Sequence, residues 1–344
     1  MRLSPVIVAS IVMSLVTMSH AEVLPATASL PVSFDAASVV LTGQVTSVEH
    51  GAETIGNWND RRVPLVEFTA TIALDGLYKG RVGSPAVKVL YSRPTGNICS
   101  VSKCTTMAVG QYGLFFLDDL GNGYYSCDRF SGRLPISRLK SLDHRPGLLG
   151  LQSDLLAGLQ EQDDTILMTN MELLGGLKDS KAAPPLLEWL ARNSNRPARV
   201  AAYVALLQLQ NYSKIEEMLA FEENFSGGTP SELRLADELI NQVSAVRDPT
   251  LVPALIAFSN SRSDRVRESV VHALREIASP DAVPVFAAAL NDRVQLVRYD
   301  AVLGLATVEK RWDFAPSVDT FMASESKYVD FWRSWWLASD HYRR

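Results

Sequence analysis

Cysteine is the residue of this chain with most scope for chemistry, and Cys99, Cys104 and Cys127 all fall in its first half. Thiolates can bind zinc, attack an electrophile or pair with one another. Zinc wants four sulfur or imidazole ligands, and no histidine lies between 51 and 143 to complete a set. A nucleophilic thiol needs a base and an electropositive setting, and no histidine near any of the three in sequence supplies the base. Pairing remains, with one cysteine left over. Cys104 and Cys127 flank the apolar run Tyr112 to Leu117 and its hairpin partner, so the spacing favours their disulfide. Cys99 with Cys127 is the next choice, and Cys99 with Cys104 would close a very small loop.

Other catalytic arrangements are missing. The chain has no Gly-x-Ser-x-Gly elbow, no His-Glu-x-x-His helix and no phosphate loop ending in Lys-Ser or Lys-Thr. His50, His144, His272 and His341 are scattered. Asp118 and Asp119 precede Gly121-Asn122-Gly123, but no glutamate follows to close a calcium loop, so an acidic hairpin turn is expected. The pairs at 163–164, 216–217 and 222–223 read as solvated helix ends. A non-catalytic protein without metal or cofactor is the expectation. Binding has better candidates. Arg262, Arg265, Arg267, Arg275, Arg293 and Arg298 crowd together and suit an acidic partner, although Glu268, Glu276 and Asp300 stand among them. Trp58, in a loop expected over 56–60, is a second contact candidate. Tyr328, Phe331, Trp332, Trp335 and Trp336 recur at helical spacing and read as a terminal helix packed on what precedes it.

These residues need elements to hold them. Residues 1–21 read as a secretory signal, with Arg2, an apolar core from Val6 to Val16, and small residues Ser19 and Ala21 before the cut. That core has about 11 residues, against the ~20 that span a bilayer. Cleavage leaves an exported chain, periplasmic or secreted, with no stable membrane insertion. The formal charge of −5 loses the +1 of Arg2 and becomes −6. An acidic chain is poorly suited to nucleic acid, whose binding relies on Lys and Arg. Over 30–137, short branched runs at 38–46, 65–74, 86–91 and 112–117 predict strands of a small barrel or sandwich. Over 150–340, apolar residues at steps of three and four predict helices.

The helical half repeats. Pro185 and Leu206, Pro253 and Leu274, Pro284 and Leu305, and Pro316 and Leu337 share one spacing of 21 residues. Val266-Arg267 returns as Val297-Arg298, and Val271 as Val302, at an offset of 31. Such a period marks stacked helix pairs, each burying its apolar face on the next. Asp264 is placed to cap the second helix of its pair. Ala273 and Gly304 would let helices approach closely, and 215–246 reads as a degenerate copy. The frames at 253 and 284 resemble HEAT-like repeats of the short kind found in phycobilisome-lyase relatives. That resemblance implies a helical solenoid; it does not imply lyase chemistry.

Residues 34–135 carry a second resemblance. The run Asp35 to Val45 is similar to the opening strand of the netrin-like, or tissue-inhibitor-of-metalloproteinase-like, OB barrel. So is Cys104 to Phe116, followed by Ser126-Cys127-Asp128-Arg129 where that family has a Cys-Ser-Arg-like turn. The resemblance implies a barrel pinned by a bridge between these two cysteine positions. It does not extend to inhibition by an N-terminal cysteine, because no cysteine precedes Cys99. The expected protein is a disulfide-pinned OB-like β-barrel followed by an all-α solenoid, an adaptor for a protein partner. Its rival is an inhibitor of an extracellular or periplasmic hydrolase acting through the loop at Trp58.

Overall fold

The computed structural model describes residues 30–58, 61–95, 106–127, 132–141 and 145–339. The chain forms two compact units, Met1–Asn170 and Met171–Arg344. The signal segment, Cys99, Cys104, His144 and His341 lie outside the described residues.

The first unit holds a short helix α1 (Leu30–Ala36) and a six-stranded sheet. Its strands are β1 (Val39–Trp58), β2 (Arg61–Lys79), β3 (Ala86–Pro94), β4 (Tyr112–Gly121), β5 (Tyr124–Ser126) and β6 (Arg133–Leu134). They lie in the order β1-β2-β3-β5-β4-β6, and β1 also pairs with β4. The pairings therefore run in a circuit through five strands, within one sheet. Alternation along β2 explains its register. Phe68, Ala70 and Ile72 turn inward to join Val39, Leu41 and Val45 of β1, with Val87, Val89, Phe115 and Leu117, in one apolar core. Gly43 faces Gly113 across the β1–β4 pair, and a methyl group at 43 would collide with the Ala73 carbonyl of β2. β1 can touch two neighbours there only because it carries no side chain.

Two strand expectations need correction. β1 and β2 are about twice their predicted lengths, since polar residues such as Glu49 and Glu53 continue the ladder beyond the apolar runs. Gly56, Asn57 and Trp58 are consequently strand, paired with Val63, Arg62 and Arg61, and not a loop. The acidic turn forms as expected, with Asp119 Oδ1 accepting from the Gly121 N–H at 2.8 Å. Cys127 is wholly buried in the core. The unit also contains α2 (Gly147–Ala157).

The units divide within α3 (Asp164–Gly176). The second unit continues with helix pairs: α4 (Ala183–Arg192) and α5 (Arg196–Gln208), then α6 (Ile215–Glu223) and α7 (Pro230–Ser244), then α8 (Val252–Phe258) and α9 (Asp264–Ile277). α10 (Val283–Ala289) and α11 (Gln295–Val308) follow, then α12 (Val318–Ala323) and α13 (Glu325–Ala338). The punctuation recurs. α3, α5, α9 and α11 are followed by a left-handed residue, respectively Lys178, Gln210, Ala278 and Lys310. A 3₁₀ turn capped by Asp179, Asp248 or Ser279 then leads into α4, α8 or α10, each with proline in its first turn.

Leu206, Leu274 and Leu305 are fully buried, as the proline frames predict. The fourth frame departs: Pro316 precedes α12 and Leu337 is 62% exposed. No further described repeat follows α13 to cover Leu337. Trp332 and Tyr328 do pack inward, with Trp332 against Phe314, Phe331 and Trp335. A methyl at Gly304 would lie 2.7 Å from the Phe286 ring, so the glycine does set the approach of α11 to α10. Asp264 is not the cap of α9. Ser263 is, accepting from the Val266 N–H at 3.4 Å, which leaves the aspartate for arginines.

Candidate interaction surface

The repeated Val-Arg pairs place one side chain inward and one between repeats. Val266 and Val297 are fully buried, while Arg267 and Arg298 run along the starts of α9 and α11. Arg267 donates to both carboxylate oxygens of Asp292, from Nε at 2.6 Å and from Nη2 at 3.0 Å. Nη2 also reaches Asp264 at 2.7 Å, and Nη1 reaches the Ser261 carbonyl at 2.8 Å. Arg298 repeats the plan one frame later: Nε donates to Glu325, and Nη1 to the Asp292 carbonyl at 2.6 Å. Each arginine thus ties the opening of its own helix to the opening of the next second helix. Bidentate pairing suits the planar guanidinium and gives direction as well as charge.

The remaining arginines are mostly matched too. Arg265 lies 3.2 Å from Glu222 and 2.8 Å from Asp237. Arg275 pairs with Asp300 and Glu276, and His272 Nδ1 is 3.2 Å from Asp300. Arg293 donates to Asp264 at 2.6 Å but is 69% exposed. Arg262 is exposed, and its backbone N–H donates to Glu223. Trp58 ends β1, and its side chain is outside the described residues. Five of the six arginines are held by carboxylates.

Electrostatics agrees with the geometry. Burial pushes the Asp292 carboxyl up, but the hydrogen bonds from Arg267 and from the Val294 N–H outweigh it and hold the group below the ordinary carboxylate range. The hydrogen bond to Asp292 raises Arg267 further above its already high value. Glu268 is raised, first by burial and then by the neighbouring Asp300.

A family model for HEAT repeats matches residues 233–306. That stretch holds most of α7 and all of α8, α9 and α10, and nearly all of α11. The Asp292 and Arg267 tie falls within it. No curated protein matches the chain.

Sequence reasoning missed a second polar cluster, in the first unit. Lys140 Nζ donates to Thr42 Oγ1 at 2.8 Å and Tyr78 OH at 3.1 Å, and lies 3.5 Å from Asp75 and 3.6 Å from Asp154. Tyr78 donates to Asp154 at 2.7 Å and Tyr112 to Asp75 at 2.5 Å. Both tyrosine rings also face the ammonium, at 5.6 and 5.8 Å. Burial, then the carboxylate each phenol donates to, raises both phenols above the ordinary range. The cluster joins β1, β2, β4, the segment at 140 and α2. Its members stand at irregular intervals from 42 to 154, so no spacing announces them.

Proposed function

We propose that this chain is an exported, non-catalytic adaptor that holds a protein partner on its HEAT repeats. The observation that carries the reading is the match to HEAT repeats over consecutive helix pairs, which suit an extended binding surface. Arg262 and Arg293, the exposed members of the arginine group, supply contacts to an acidic partner at its rim. Residues 1–21 act as a cleaved signal, and the mature chain is periplasmic or secreted. The sheet is the OB-like barrel of the netrin type, a reading that the circuit of strand pairings supports. Cys127 bonds to Cys104 and fixes the strand pair there.

The inhibitor of an extracellular hydrolase is the second reading. In its favour, β1 and β2 run on as a two-stranded ribbon beyond Leu65, where β3 ends its pairing, and Ile55 on that ribbon is 68% exposed. Photocrosslinking with the full-length protein in its native cell separates the two. A crosslinker at Leu296 or Glu268 is expected to capture one protein in near-stoichiometric yield. Capture of a hydrolase from position 57 alone would replace the adaptor with the inhibitor, and no specific product from either position would remove both.

A further inference from the structure

Glu222, the penultimate residue of α6, is a carboxylate in an apolar setting. It is 2% exposed. One oxygen lies 3.2 Å from Arg265 Nε of α9; the other is buried and has no hydrogen-bond partner among the described residues. The same guanidinium reaches Asp237 of α7 at 2.8 Å, so one cation stands between two acids from different helices. Among the described residues, the other cations nearby are engaged elsewhere: Arg196 of α5 lies over the Phe221 and Phe225 rings and donates to the Gly227 carbonyl. α8, which packs on α6, has the sequence Val-Pro-Ala-Leu-Ile-Ala-Phe and carries no charge. On α7, Arg234 pairs with Glu172; on α9, Arg267 is held by Asp292. On α6 itself, Glu217 pairs with Arg199, and Glu223 accepts from Ser261 and the Arg262 N–H. A buried acid with half a cation and one idle oxygen is better accommodated with a proton than without one.

We infer that Glu222 is a proton-operated switch at the junction of α6, α7 and α9, neutral when the junction is tightest and charged when it is loosened. The balance of forces supports this. Burial raises the group most, Arg265 lowers it and Asp237 raises it again, to about 7. The usual carboxylate value in an unfolded chain is about 4.3. Folding therefore retains a proton that the unfolded chain has lost. The stabilisation is complete on the acid side of the ordinary carboxylate range and disappears as pH rises through about 7. Most proteins tied by carboxylate ion pairs change in the opposite direction. This junction gains firmness in mild acid, which an exported adaptor would meet when its surroundings acidify.

The test is denaturant unfolding of the full-length protein followed by tryptophan fluorescence. Five of the six tryptophans lie beyond residue 171 and report on the helical unit. Between about pH 5.5 and 8, the unfolding constant of the natural protein is expected to rise about thirtyfold relative to that of Glu222→Gln. Parallel curves would overturn the inference. A carbon-13 carboxyl titration of the natural protein provides a readout that does not depend on the variant folding. A glutamate resonance that titrates near 7 and is missing from the Glu222→Gln spectrum supports the switch, and a spectrum with no such glutamate overturns it. Arg265→Gln removes the cation and is expected to move that midpoint still higher; an unmoved midpoint also counts against the switch.

Discussion

Both units bury charge, but the sheet unit gathers it at one point while the helical unit distributes it along a repeat. Lys140 answers Thr42, Tyr78, Asp75 and Asp154 together, groups drawn from two strands and a helix. In the helical unit Arg199 also gathers several groups, the Leu190 and Asn193 carbonyls, Tyr203 and Glu217, but the longer-range ties recur along the repeat. Arg267 answers Asp292, Arg298 answers Glu325, and each tie copies the one before it. The difference follows from topology. A sheet whose pairings return to their first strand has a few sites where many elements meet, whereas a row of helix pairs meets only its neighbours. A convergent cluster should therefore fail as a whole, and a periodic network should fail one frame at a time.

The largest effect is expected at the convergence. Lys140→Met removes the ammonium 3.6 Å from Asp154, whose side chain is 2% exposed, and the unfolding free energy should fall by about 3 kcal/mol. An effect below about 1 kcal/mol would show that Tyr78 and the Ser141 N–H satisfy Asp154 unaided. Arg267→Met comes next, at about 2 kcal/mol, because Asp292 keeps the Val294 N–H. This variant should also lose part of its acid dependence. The depressed Asp292 carboxyl contributes stability that is present above its unfolded value and lost as pH falls through the folded one. Acid unfolding curves of the two proteins should converge at low pH. Ala278→Gly should act in the other direction. Its φ of 56° is unfavourable for a side chain, and relief of that strain should stabilise the chain by about 0.5–1 kcal/mol. The smallest effect is expected at Arg293, whose exposed pair with Asp264 should be worth less than about 0.5 kcal/mol on replacement by alanine. If Arg293→Ala instead weakens partner capture while leaving stability intact, the comparison sharpens: buried arginines hold the repeats and exposed ones meet the partner.

The helical unit is much the more legible of the two in the sequence. Proline, valine and arginine recur there because each copy solves the same packing problem, so one solved frame predicts the next. That legibility stops at single side chains. Asp264 has the position of a cap because it opens α9, yet Ser263 takes the cap and Asp264 binds two arginines. Glu325, the partner of Arg298, belongs to a different helix pair and is not visible from either residue alone. In the sheet unit, apolar runs locate four strands but not their ends. Beyond Val48 in β1, the inward-outward alternation that marks a strand fades into Glu49, His50 and Glu53. The Lys140 cluster leaves no trace in the sequence, since its residues are neighbours only once the strands have paired.

A double-mutant cycle on Arg267 and Asp292 tests most directly the claim that the arginine row binds repeat to repeat. Arg267→Met, Asp292→Asn and the double variant are compared by equilibrium unfolding. The account predicts a coupling of about 2 kcal/mol, with the second change costing little once the first is made. Strictly additive losses, with coupling near zero, would contradict it.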